Sequence, residues 1–176
     1  MPSWRWVCSS SATGRPSSAT EPPSTTEPCT TDTTEALSSA ETRLPDGTIK
    51  GMGFIDAARE EGGVRRLAID YAELLIGEEA GQAAIEAGVI DPDEDLPNDY
   101  FVRNVNPRLR EFTVSGSVTI TSHTWGGAWD QPVTWGEFQS FWSDSPPQRA
   151  GHMRIVPWWI IRDGTVVIDI EEQYLP

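Results

Sequence analysis

The sequence predicts a mostly β domain, a small antiparallel barrel or curled sheet with two short helices, carried behind a long polar leader. Three observations point there. Apolar residues return in short alternating runs of strand length from Leu44 to the C-terminus. Glycine-bearing turn signals, EEGG at 60–63 and DG at 163–164, separate pairs of these runs as in hairpins. The strand–helix–strand rhythm that a parallel sheet requires is missing. An open α+β sheet with helices on one side is the alternative architecture.

The leader comes first. Residues 9–43 hold a single leucine, Leu37, and no Ile, Val, Phe, Tyr, Trp or Met; Ser, Thr, Pro and Glu dominate. Such a stretch buries too little apolar surface to offset the entropy of ordering its backbone. The boundary is therefore read as a tether over residues 1–43 and one acidic domain over 44–176. Within the domain, residues 48–56 read as a strand whose Gly51 and Gly53 signal a bulge or a close backbone approach. The turn at 60–63 returns the chain through residues 64–70. An apolar run at 71–76 leads into a helix over 78–87, with Glu78 and Glu79 in its first turn and Gly88 at its stop.

Residues 91–99, DPDEDLPND, read as a loop; 100–104 and 109–115 read as strands separated by Asn106-Pro107. SVTITS at 117–122 alternates as a half-buried strand does. Thr134 and Glu137 have capping-box spacing, and the helix they open places Phe138, Phe141 and Trp142 on one face. The last hairpin spans 155–172 around a type I′ turn at Asp163-Gly164, with Trp159, Ile161, Val166, Ile168 and Ile170 expected inward.

Charge narrows the function classes. The chain carries a net −14, and from Leu44 onward 22 acidic residues face 10 basic ones. Such a field repels phosphate backbones, which argues against a nucleic-acid partner. Both cysteines, Cys8 and Cys29, fall in the leader, so the domain has neither a disulfide nor a cysteine nucleophile. Gly-x-Ser-x-Gly, His-Glu-x-x-His and phosphate-loop patterns are all absent. His123 and His152, the only histidines, are read as structural or surface groups.

Three weaker patterns remain. Asp91, Asp93, Asp95 and Asp99 alternate as oxygen ligands for calcium would, although Leu96 stands where an EF-hand needs glycine. The aromatic run from Trp125 to Trp142 suits a core. Trp125 and Trp129 flank Gly126-Gly127 and are the candidates for an exposed ligand platform. Asp70 with Glu73, and Asp169 with Glu171, are carboxylate pairs that glycoside hydrolysis could use if they faced a cleft.

Cys8, followed by SSSATG, resembles the first residue of a mature bacterial lipoprotein, a lipid-modified cysteine on a flexible tether. Arg5 and Val7 stand where such a signal carries a leucine and a small residue, and no apolar segment precedes them; either the export signal lies upstream of Met1 or the likeness is accidental. The blocks GFI at 53–55, IDYAELLIGEEA at 69–80, PNDYFVRN at 97–104, PWW at 157–159 and IEEQYLP at 170–176 together resemble secreted, lipoprotein-like domains of high-GC Gram-positive bacteria (actinobacteria). That resemblance implies a place in the cell envelope and carries over no catalytic residue. The expectation is a non-catalytic, extracytoplasmic domain that binds a ligand or an envelope protein. Its membrane contact would be limited to a lipid anchor at Cys8, and it would need no cofactor unless calcium fills the acidic loop. An envelope glycan hydrolase, a structural spacer, and a cytoplasmic location in the absence of an upstream signal are the alternatives.

Overall fold

The computed structural model describes residues 37–105, 107–127 and 129–175. In chain order the elements are β1 (Glu41–Arg43), β2 (Ile49–Glu61), β3 (Val64–Tyr71), β4 (Glu73–Ile76), α1 (Gly77–Glu86), β5 (Tyr100–Arg103), β6 (Leu109–Ser122), β7 (Gln131–Pro132), α2 (Trp135–Ser140), α3 (Ala150–Met153), β8 (Trp158–Asp163) and β9 (Val166–Glu172). The order β2-β3-β6-β9-β8 closes into an irregular ring, because the first half of β2 also pairs with β8. Neighbours in the ring are antiparallel except β6 and β9. With β8 returning beside β2, the first four ring strands form a Greek key that β9 completes. The fold is mostly β as the sequence implies, and the closed ring replaces the open-sheet alternative.

Close backbone approach shapes β2. A side chain at Gly53 would lie 2.3 Å from the Asp70 carbonyl oxygen, and one at Gly51 would meet Tyr71 Cε1 at 2.7 Å. The bulge itself falls later, where the β2–β3 register slips between Ile55 and Ala57. There the Ile55 carbonyl accepts from Trp142 Nε1 at 2.9 Å, tying α2 to the ring. The β2–β3 turn is built on Gly62 (φ 59°) and Gly63 (φ 78°), both in the positive-φ conformation of a I′ hairpin.

The core fills the ring with Leu67, Ile69, Phe112, Ile120, Trp158, Ile160, Val167 and Ile170, and α2 and its C-cap add Phe138 and Phe141. Each such side chain contributes about 1.5–3 kcal/mol of burial. The capping box at Thr134 and Glu137 forms as its spacing predicts. A smaller cluster, Leu75, Ala80 and Ala83, joins α1 to the separate two-stranded sheet of β4 and β5.

Several expectations are corrected. Residues 109–115 and 117–122 form one strand, β6, which runs on through Gly116. A third helix, α3, precedes the last hairpin. The first strand, β1, lies inside the stretch read as leader, so ordered structure begins before Leu44. The last hairpin turns at Gly164-Thr165, with Asp163 paired to Val166 and Gly164 at φ 55°.

Of the five residues expected inward, Ile170 is buried as expected, but the rest of the inward face is the opposite one. Trp158, Ile160, Arg162, Val167, Ile170 and Glu172 are buried, whereas Val166 and Ile168 are exposed and Trp159 and Ile161 half-buried. A register slip between Ile161 and Arg162 sets Ile168 out of the ladder. The inward positions of Arg162 and Glu172 are possible because each finds polar partners inside. Arg162 Nε and Nη2 donate to Glu41 Oε1 at 3.1 and 2.9 Å.

Candidate functional site

One end of the ring carries a short loop between β6 and β7. It turns through Gly126 and Gly127, both at φ 78°, and through Asp130 at φ 54°, a left-handed conformation that aspartate tolerates better than most side chains. The Glu172 carboxylate, buried beneath, clamps the base of this loop. Its Oε2 accepts from the His123 and Thr124 amides at 2.8 and 3.1 Å and from Ser122 Oγ, while Oε1 accepts from Thr124 Oγ1 at 2.6 Å. Burial pushes the Glu172 carboxyl upward, but the donors from Ser122, Thr124 and His123 outweigh it and hold the group below its ordinary range.

His123 sits directly above, its side chain 10 % exposed. Asp130 Oδ1 lies 2.9 Å from its Nδ1, and Glu171 Oε1 lies 3.4 Å from its Nε2. The Nδ1 contact is too poorly aligned for a hydrogen bond, which leaves that nitrogen buried without a partner. Trp129 stacks on the imidazole with centroids 4.6 Å apart and planes 22° apart. Tyr174 meets Trp129 edge-on at 5.1 Å and 67°. Trp129 is 58 % exposed and Tyr174 43 % exposed. The result is an exposed aromatic corner on a fixed base, rimmed by Asp130 and Glu171.

Of the two tryptophans singled out in the sequence, only Trp129 belongs to this corner. Trp125 packs on the core cluster instead, 4.5 Å from the Phe141 ring. Trp135, Phe138 and Phe141 are buried as core. Tyr174 and Asp130 complete the corner with His123 behind the indole, and the sequence reading singled out none of the three as site groups. Tyr174 follows the last strand, and no periodic pattern connects it to Trp129 across 44 intervening positions.

The other candidates separate in the same way. Asp91, Asp93, Asp95 and Asp99 are all exposed and do not converge. Glu94 Oε2 accepts from the Asp91 amide at 3.2 Å in a local turn, and the Asp99 carbonyl accepts from the Gly77 amide at 3.2 Å. Among the described residues no group of three or more His, Cys, Asp or Glu is placed to hold a metal ion. Asp70 is an anchor, accepting from Asn104 Nδ2 at 2.7 Å and the Arg108 amide at 2.8 Å. Glu73 pairs with Arg103 at 2.6 Å. Asp169 and Glu171 share the outward face of β9; burial first, and Glu171 second, push the Asp169 carboxyl upward.

Ser122, His152 and Glu172 lie near one another without forming a catalytic triad. Ser122 is fully buried; its Oγ donates to Glu172 and accepts from the Trp125 amide at 3.0 Å. His152 Nε2 approaches Glu172 Oε1 only to 3.8 Å, beyond hydrogen-bond reach, and Ser122 Oγ donates to the buried Glu172 carboxylate rather than to a histidine. Cys8 lies outside the described residues. Among those described, no helix is long and apolar enough to cross a membrane. No protein-family model, no curated protein and no solved structure matches this chain.

Proposed function

We propose that the domain is a non-catalytic binding module of the cell envelope and that its ligand is a neutral carbohydrate seated on the Trp129 corner. The observation that supports this is the presentation of Trp129, exposed on its outer face and held from behind by the His123 ring, whose side chain is 10 % exposed. An indole fixed in this way offers an apolar face at little entropic cost, and sugar rings stack on such faces. Tyr174 sets a second wall at 67°, which suits one sugar ring in a corner better than a flat crystalline surface. Asp130 and Glu171 offer acceptors for hydroxyl groups and disfavour anionic sugars.

The test is calorimetric titration of the full chain against neutral and anionic envelope glycans. Trp129→Ala is expected to weaken the best neutral ligand by about 2 kcal/mol, roughly thirtyfold. Equal binding by the variant, or a preference for anionic glycans, would remove the reading. The envelope location rests on the leader and on Cys8. It predicts that the natural gene product partitions into detergent and that Cys8→Ser abolishes this.

A hydrolase is the second reading, favoured by the raised Asp169 carboxyl beside Glu171. Against it, two carboxylates at alternate positions of one strand project side by side rather than across a cleft. Glycan turnover that disappears in Asp169→Asn would establish it over the binding reading.

A further inference from the structure

A second site lies on the outward face of β2 and β8, away from the Trp129 corner. There a cleft of about 490 Å³ opens between these strands, the segment 39–44 that carries β1, and the unit formed by β4, α1 and β5. This is within the usual range for small-molecule sites, about 300–1,000 Å³. Its floor is apolar: Met52 is 1 % exposed, and Ala72 and Leu75 are also buried. Leu74 and the Trp159 ring form its walls.

Two cations line it. Arg103 is engaged with Glu73 through contacts of 2.6 and 2.7 Å. Lys50, the only lysine of the chain, makes no ion pair among the described residues. Its Nζ lies 4.5 Å from the centre of the Trp159 ring, and the field of the ammonium reaches Asp169 without a direct contact. An ammonium held over an indole at the mouth of an apolar cleft is partly desolvated, so its attraction for an anion exceeds that of a lysine in open water. Glu79 at the rim is exposed and repels a second negative charge on the ligand.

We propose that this cleft binds an organic monocarboxylate with an alkyl or aryl body. The carboxylate pairs with Lys50 Nζ while the body lies along Trp159, Leu74 and Met52. The reading is independent of the carbohydrate site.

Calorimetry with the full chain tests it, using three probes that share one ten-carbon body: decanoate, decanol and decyltrimethylammonium, each below its micelle concentration. The chain is strongly acidic, net −14, so its overall field favours the cationic probe. A preference for decanoate therefore has to come from Lys50. Decanoate is expected to bind at least about tenfold more tightly than either other probe. Lys50→Met, which keeps the apolar stem, is expected to bring decanoate down to the level of decanol. Leu74→Trp fills the cleft and is expected to abolish binding of both, while Trp129→Ala leaves it unchanged. Lys50→Gln serves in place of Lys50→Met if a melt shows that variant unfolded. Absence of decanoate binding, binding of the cationic probe as tight as decanoate, undiminished binding in a folded Lys50 variant, or binding that survives Leu74→Trp would each overturn the proposal.

Discussion

Cutting the chain at the boundary that composition suggests, to residues 44–176, removes Glu41 and with it the partner of a buried arginine. Glu41 Oε1 receives two bonds from Arg162, while Oε2 receives the Ser38 amide at 2.9 Å and Ser38 Oγ at 3.0 Å. Arg162 is 2 % exposed, lies 5.1 Å from the centre of the Phe112 ring, and also donates to the Gly164 carbonyl. Breaking a buried pair by removing one member costs about 3–5 kcal/mol, because the other charge stays inside without full compensation. At about 3–4 °C per kcal/mol for a domain of this size, the shorter chain should melt about 9–20 °C below one spanning 37–176. Near-UV circular dichroism at pH 7, with urea titrations of both chains, measures the difference.

The pH dependence has a definite sign. Burial raises the Glu41 carboxyl, but bonds from the Ser38 amide, Arg162 and Ser38 Oγ outweigh it and hold the group below the ordinary glutamate range. A depressed carboxylate stabilises the fold fully above its unfolded value and loses that contribution as pH falls through the folded one. The gap between the two chains should therefore narrow below pH 4.5. The matched pair Glu41→Met with Arg162→Met should recover most of what either single substitution loses, since an apolar replacement of both partners removes the buried charge. Equal melting of the two truncations at pH 7 would refute the reasoning.

Three further outcomes follow from the same geometry. Gly164→Val should lower stability by about 1–2 kcal/mol in a urea melt, since Gly164 sits at φ 55° where a β-branched residue is strained; an unchanged midpoint would show that the turn can re-form. Glu172→Gln should cost about 2–3 kcal/mol and weaken carbohydrate binding together with Trp129→Ala, because the same carboxylate holds the His123 and Thr124 amides; full binding in the variant would separate the clamp from the site. Asp169→Asn should leave stability equal or slightly raised at pH 7. Its raised carboxyl makes the ionised form unfavourable in the fold, an effect that fades as pH falls and the group protonates; a destabilised variant would contradict that sign.

What the sequence revealed, and what it concealed, both trace to particular side chains. The β2–β3 hairpin was legible because Gly62-Gly63 meets a local demand for positive φ, and α2 because its cap and its aromatic face lie within nine residues of chain. Gly126-Gly127 pointed equally to Trp125 and Trp129, and only Trp129 is exposed, so that local signal was half legible. The inward face of the last hairpin was not legible. Both of its faces offer a tryptophan and isoleucines, and the inner one also carries Arg162 and Glu172, which pattern reasoning assigns to solvent. Only partners far away in sequence make those charges tolerable inside, Glu41 for Arg162 and the 122–124 amides and hydroxyls for Glu172.

The same two buried charges decide where the binding chemistry can be. Side chains alternate along a strand, so placing Arg162 and Glu172 inward forces Trp159 and Glu171 outward. Trp159 then walls the cleft under Lys50, and Glu171 reaches His123 beneath Trp129. Had the more apolar face turned inward, Trp159 would be core and Glu171 would need an internal partner. Both proposed sites therefore depend on the interior ionic groups, although neither group touches the ligands. Glu41→Met should therefore weaken decanoate binding as well as stability, through the inward-pointing Glu41 of a strand whose neighbours Ala40 and Thr42 line the cleft. Binding that persists undiminished in a destabilised Glu41→Met chain would show that the outward face of β8 and β9 is fixed by packing alone.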